Sequence, residues 1–541
     1  MRGSEINRHA IAVTLFLFCA VTNDAQQRST APTPKARIEG AVVSAAGNTP
    51  VAGVTLSVLQ ETERQSVTTD AQGRFAVTVS HGTVRLLASK EGFTGIQPEG
   101  HERPAANGVL VTVRAGQQLK GLTLRVFPVG NVAGRVFDTR SKPVQFARMQ
   151  LWRFTYDENG DRVLRPAGTG RSSETNDRGE FKIEAVDPGE YLLYAGTPML
   201  SERVPGEAWV AVFYPGTPDE RRALPVVVES GAITTLEDIA MPSVRGGTIR
   251  IHMTNKTGEP IQSTLVKYLH WRSGDSAGNR VLVPLLIMGG PERAEMPVTP
   301  GHYEVVAGWA RTNGLPVGFG SAIVDVSERP ANVEINVTKP IRVNGRVKLE
   351  QASGQPKPVG NVRCQVRNDA FGNTFATSGQ DGSFVIENLP PARYRIDCSS
   401  LPPDTYLAQV KQGERDAVKE GVMIGSADNA DLVVTLGGSG GQIDGTVSDA
   451  AGAKVAAAFI ALVPDEPSRT AFQLFRTTTT DQNAAFALRA VAPGSYRLFA
   501  WPEVDGAAYR NAEFLKKYEE QATAVKVERS GKVTTAVKLQ K

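Results

Sequence analysis

Gly437-Gly-Ser439-Gly-Gly441 matches the GxSxG spacing that lifts a nucleophilic serine onto a sharp turn. That chemistry needs a parallel strand before the serine and a helix after it. Here the glycines join two strand-like runs, so a linker is the better reading. Asp157-Glu-Asn159-Gly-Asp161 sets oxygen ligands at alternate positions, as a calcium loop begins. Its Gly stands fourth rather than sixth, and Gly168 occupies the twelfth position where such a loop needs Glu. A hairpin turn between Arg153-Phe-Thr-Tyr156 and Arg162-Val-Leu-Arg165 is expected instead. The six histidines (His9, His81, His101, His252, His270 and His302) form no HExxH and no HxH pair, which speaks against a zinc peptidase centre.

Two further residue classes carry recognition or redox chemistry. Cys364 and Cys398 lie on the strand-like runs VRCQV and YRIDC. In an oxidising compartment they either bridge or sit as two buried thiols on different layers, and two cysteines alone make a poor metal site. Trp152, Phe154 and Tyr156 alternate on one strand face, while Trp209, Phe213 and Tyr214 precede Pro215-Gly216. Trp271, Trp309 and Trp501 fall near strand ends. Exposed flat rings stack on sugars, and a ligand platform would use Trp152, Tyr156, Trp209 and Tyr214. Packing in cores or between domains is the weightier alternative, because Trp and Tyr bury large areas.

The chain has 541 residues, too many for one core. Its net charge of +4 is spread with no basic block, so no nucleic-acid partner is indicated. Arg2 and Arg8 precede the apolar run Ala10–Val21, and Ala25 ends a polar stretch after it. Residues 1–25 are expected to be a signal peptide cleaved after Ala25, with an uncleaved anchor as the alternative. No later segment is apolar enough to span a bilayer.

What must position all these residues is a repeat. An opening V-x-G-x-V strand recurs at Ile38–Val42, Val132–Val136, Val343–Val347 and Ile443–Val447, with Ile251 replacing the glycine in a fifth copy. The anchors at 40, 134, 251, 345 and 445 are one domain apart. A turn leading to Phe follows at Asp70–Phe75, Asn176–Phe181, Gln380–Phe384 and Asp481–Phe486. A second turn leads to Tyr191, Tyr303, Tyr394 and Tyr496; the first copy has His81-Gly82-Thr-Val84 there, and the third lacks the first turn. Alternating runs of five or six residues separated by turn signals predict an all-β chain. The exception is Ala508–Glu520, a short amphipathic stretch.

The V-x-G-x-V strand, the T-x-D-x-x-G-x-F turn and the P-G-x-Y turn resemble the carboxypeptidase regulatory-like domain, over essentially the whole chain that follows the expected signal peptide. The resemblance implies five tandem seven-stranded antiparallel β-sandwiches of transthyretin-like or Ig-like type, with no catalytic residues or cofactor. The expected domains are 37–128, 130–243, a degenerate 244–339, 341–437 and 440–541. A secreted, periplasmic or surface protein is expected, arranged as a rod. It would bind polysaccharide or, alternatively, serve as a spacer, scaffold or adhesin for surface proteins, with an accessory role to a peptidase or uptake system less favoured. Functional differences should sit in the insertions Ser201–Leu224 and Glu503–Thr523.

Overall fold

The computed structural model describes residues 34–60, 63–101, 103–104, 108–168, 172–196, 207–257, 263–271, 280–285, 293–310, 316–350, 355–368, 372–425 and 431–540. Only the backbone is described over 263–271, 280–285, 309–310 and 316–317 and at 255, 293, 294, 296, 297 and 419. The expected signal peptide, residues 201–206 of the first insertion, and the side chains of His270, Trp271 and Trp309 therefore lie outside the described residues.

Strands Ala36–Ser44, Gly130–Phe137, Gly247–Asn255, Ile341–Leu349 and Gly441–Ser448 open five successive units. Each lies at the middle of a sheet. On one side it pairs antiparallel with the strand after the first turn, as Gly40 does with Phe75 and Gly445 with Phe486. On the other side it pairs parallel with the closing strand of its unit: Gln118–Pro128, Ile233–Thr235 continued by Ile239–Ala240, Ala331–Val337, Leu432–Gly437 and Lys532–Lys538. The wholly antiparallel sandwich expected from the sequence is thus corrected to a mixed one. The strand before the last belongs to the opposite sheet, so the chain crosses over instead of turning back in a hairpin, and a crossover delivers a parallel neighbour.

Strand number also departs from seven. Among the described residues the third and fifth units have seven strands, the first has eight, and the second and fourth add short strands in their long loops. Five separate apolar clusters fill the units, running from Ala36 to Val126, Val132 to Met241, Ile249 to Val337, Val343 to Leu436 and Ile443 to Val537.

The repeated residues are explained by close packing. A Cβ on Gly445 would meet the Phe486 ring at 2.5 Å, and one on Gly345 would meet Phe384 at 2.1 Å. The bare glycine lets the cross-strand ring lie flat over the backbone. In the third unit the sizes are exchanged, with Ile251 paired to Ala294. The first turn ends at Gly73, Gly179, Gly382 and Ala484, all with φ between 62° and 76°. Just before it, a buried hydroxyl ties two segments. Thr175 Oγ1 accepts from the Ala147 amide at 2.8 Å and donates to the Val144 carbonyl at 2.6 Å. Thr69, Ser378 and Thr480 make the same pair of bonds.

The second turn is locked by its tyrosine. Tyr191, Tyr303, Tyr394 and Tyr496 each donate to the carbonyl four residues earlier, at 2.7–2.9 Å. In the first unit, buried Val84 takes the tyrosine's place and makes no such bond. Cys364 and Cys398 stand directly opposite each other on strands Arg363–Asn368 and Ala392–Ser399, and their sulfurs are bonded.

Candidate functional site: the junction of units two, four and five

Strand Arg148–Tyr156 turns Leu151 into the core of unit two and Trp152 to the opposite face. That outer face, carrying Trp152, Phe154 and Tyr156, is covered along its length. Trp152 is only 4% exposed and packs on Tyr194 at 5.2 Å and on Phe213 at 6.5 Å between ring centres. The Arg162 guanidinium lies over Phe154 at 4.0 Å. Tyr156 meets Phe514 of unit five at 6.0 Å. Trp209 and Tyr214, half-buried, pack against the unit-two core. Of the four residues named as a ligand platform, Trp152 is nearly fully buried, while Tyr156, Trp209 and Tyr214 are half-buried against their neighbours.

The same use of aromatics recurs in unit five. Phe499 and Trp501 stack at 5.3 Å on the outer face of its second sheet, and Phe514 and Tyr518 close over Trp501 at 5.5 and 5.6 Å. The insertion supplying those last two rings is a 3-10 turn Ala508–Arg510, a one-turn helix Ala512–Lys516 and a 3-10 turn Glu519–Gln521. The amphipathic stretch expected at 508–520 is therefore three short pieces instead of one helix, with Leu515 buried.

This insertion also grips unit two. Asn511 Oδ1 accepts from the Phe514 amide at 2.8 Å, capping the short helix. The Nδ2 of the same side chain donates to the Gly160 carbonyl at 2.8 Å. Arg510 donates to the Glu158 carbonyl, and the Ala507 amide donates to the Tyr156 carbonyl at 3.2 Å. A Cβ on Gly160 would come within 2.7 Å of the Arg510–Asn511 backbone, and one on Gly506 within 2.1 Å of the Tyr156 carbonyl. Both glycines have positive φ, so the approach of the two backbones depends on them twice.

The turn Asp157–Asp161 is the hairpin expected, and it is a meeting point. Asp157 Oδ1 accepts from the Asn159 and Asp161 amides, as an Asx turn does. Its carboxylate, 7% exposed, also faces Arg395 of unit four at 3.9 Å, and Glu158 pairs with Arg367. Unit five reaches unit one as well. Gln482 accepts from the Thr112 amide at 2.9 Å and donates to its carbonyl at 2.6 Å, while His101 bonds the Ala456 carbonyl at 2.8 Å. The rod expected from the sequence is therefore corrected: unit five folds back onto units one and two, and unit two touches unit four.

Residues 37–124 match the carboxypeptidase regulatory-like domain. The match covers the first unit. No curated protein matches the chain. Among solved structures, GBS52, the minor pilin of Streptococcus agalactiae, aligns at 14% identity over 38% of this chain and 96% of its own, with a TM-score of 0.22. A streptococcal ancillary pilin aligns at 13% over 56% and 99%, with a TM-score of 0.17. The Bacillus anthracis TIE protein aligns at 11% over 73% and 68%, with a TM-score of 0.15.

Chemically the junction offers hydrogen bonds and ion pairs but no reactive constellation. Among the described residues no group of three or more His, Cys, Asp or Glu could hold a metal ion. No helix among them is long and apolar enough to cross a membrane. Ser439 sits in a glycine linker with φ 59°, its carbonyl accepting from the Ser530 amide, and a strand rather than a helix follows. The junction residues escape sequence reading because 157–161 and 506–511 each look like an ordinary turn. The one usable signal is the aromatic face of 509–518, which needs something to cover.

Proposed function

We propose that the chain is an exported, non-catalytic scaffold or adhesin-type protein, with protein partners, built of five β-sandwich domains at 37–128, 130–243, 244–339, 341–437 and 440–541. Each of those ranges owns a separate apolar core, which supports the division. The observation that carries the reading is the fate of the aromatic insertions. Their rings cover sheet faces and join one unit to another, so the variable parts of the repeat serve assembly. A stacking platform for polysaccharide would need the same rings free. Secretion, with cleavage after Ala25, belongs to this proposal.

A glycan array probed with the chain from residue 26 onward tests it. Neutral polysaccharides are expected to give no binding that depends on Trp209 or Tyr214. Binding that disappears in a folded Tyr214→Ala or Trp209→Ala variant would return the function to carbohydrate recognition.

A further inference from the structure

Gln482 of unit five clamps unit one at a defined place, the middle residue of edge strand Val109–Val113, bonding the Thr112 amide and carbonyl at 2.9 and 2.6 Å. The same place is used in unit four. Met423, the middle of edge strand Val422–Ile424, donates its amide to Gln412 Oε1 and accepts from Gln412 Nε2, both at 2.9 Å. Thr112 stands opposite Thr83 and Met423 opposite Arg393, the register at which an edge strand turns its backbone polar groups outward. A glutamine amide, one donor beside one acceptor, matches that pair of groups.

Unit two has the equivalent place without a glutamine on it. Val227, the middle of edge strand Val226–Val228, stands opposite Glu190, and its carbonyl accepts from Thr234 Oγ1 at 2.9 Å. That bond ties the strand to Ile233–Thr235, the edge of the facing sheet. Leu224, Val227 and Ile233 are 51, 55 and 60% exposed, so this border of the sandwich presents apolar side chains beside an open strand edge. Such an edge is a template for docking.

The chain also carries an unused clamp. The first turn of unit five, Asp481-Gln482-Asn483-Ala484, is closed by the Asp481 amide donating to the Ala485 carbonyl. In unit four, Gly379-Gln380-Asp381-Gly382 is closed in the same way by the Gly379 amide and the Ser383 carbonyl. Gln380 therefore holds the position of Gln482, exposed and with no side-chain hydrogen bond among the described residues. Charge agrees with the pairing. Exposed Glu190 and Glu229 flank Val227. Exposed Arg346 and Lys357 flank the unit-four turn, where Asp381 is taken by the amide and hydroxyl of Ser383. Units two and four of one chain already meet elsewhere, through Asp157 and Glu158 on Arg395 and Arg367, which leaves the turn for another copy.

We propose that the Gln380 turn of unit four docks on the Val227 edge of unit two in a second copy of the chain. It repeats between copies the contact that unit five makes on unit one within each. The site deepens the scaffold reading, on which it rests, by naming one protein partner. Sedimentation of the chain from residue 26 should show association that dilution reverses to single chains. Val227→Asp should weaken it about ten-fold or more by setting a charge in the contact. Gln380→Ala should weaken it about ten-fold by removing two hydrogen bonds. Both side chains are exposed, so circular dichroism stays unchanged. Disulfide trapping locates the contact, because Cys364 and Cys398 are already bridged. Gln380→Cys chains mixed with Val227→Cys chains are expected to crosslink to each other in preference to themselves. A single chain at every concentration, crosslinks only between like variants, or a Gln380→Cys, Val227→Cys double variant that closes within one chain would overturn the contact. Any of these with a silent glycan array removes the self-contact alone; sugar binding lost with Trp209 or Tyr214 removes the scaffold reading beneath it.

Discussion

Gly445 carries no side chain where the Phe486 ring crosses its strand, and the third unit solves the same problem with Ile251 opposite Ala294. Size across that pair is what matters, so Gly445→Ile should cost about 2–3 kcal/mol through overpacking. Adding Phe486→Ala should recover about 1 kcal/mol or more of it, read as a coupling energy in urea denaturation. The tyrosine hydroxyls make a second residue-scale prediction. Burial pushes the Tyr496 phenol up to about 12 and raises that of Tyr394 further. An unfolded tyrosine titrates near 10, so the stability these neutral phenols contribute is whole below about pH 10 and drains as pH rises through 12. Tyr496→Phe leaves the Ala492 carbonyl without its donor and should cost about 1 kcal/mol at pH 7 while flattening the alkaline loss. Melting temperatures between pH 7 and 12 check both signs.

At the scale of elements, strands Arg363–Asn368 and Ala392–Ser399 are stapled by the Cys364–Cys398 bond across a sequence separation of 34 residues. Loop-closure entropy puts the staple at about 3–4 kcal/mol for the fourth unit. The Cys364→Ala, Cys398→Ala pair should therefore unfold that unit at lower urea than the rest, giving a separate early transition by tryptic cleavage. The elements were also where the sequence spoke most clearly. Gly40, Gly134, Gly345 and Gly445, the Asp/Gly turns and the tyrosines each answer a local packing demand, so they repeat and can be read. Parallel closure of each sheet was not legible, because a strand's sequence does not encode the direction of its neighbour. The Trp152, Phe154, Tyr156 face was seen as one face, yet nothing near it in sequence names its cover. Phe213 lies in the same unit, while Phe514 comes from about 360 residues further along the chain.

At the scale of the whole molecule, the contact between 157–161 and 506–511 holds the end of the chain against its first half. It depends on two glycines and one bifunctional asparagine, none of them in a core. Gly160→Val should separate units two and five while leaving every unit folded, so circular dichroism stays unchanged as the particle expands. Asn511→Ala should do the same more weakly, since it removes one inter-unit bond and a helix cap worth about 1 kcal/mol. The central claim is that the units fold back on one another, and small-angle scattering of the chain from residue 26 measures it directly. A radius of gyration approaching the roughly 24 Å of a single globule of this length is expected, rising in Gly160→Val. Five sandwiches in line would give roughly 50 Å, and such a value in the unaltered protein would contradict the account.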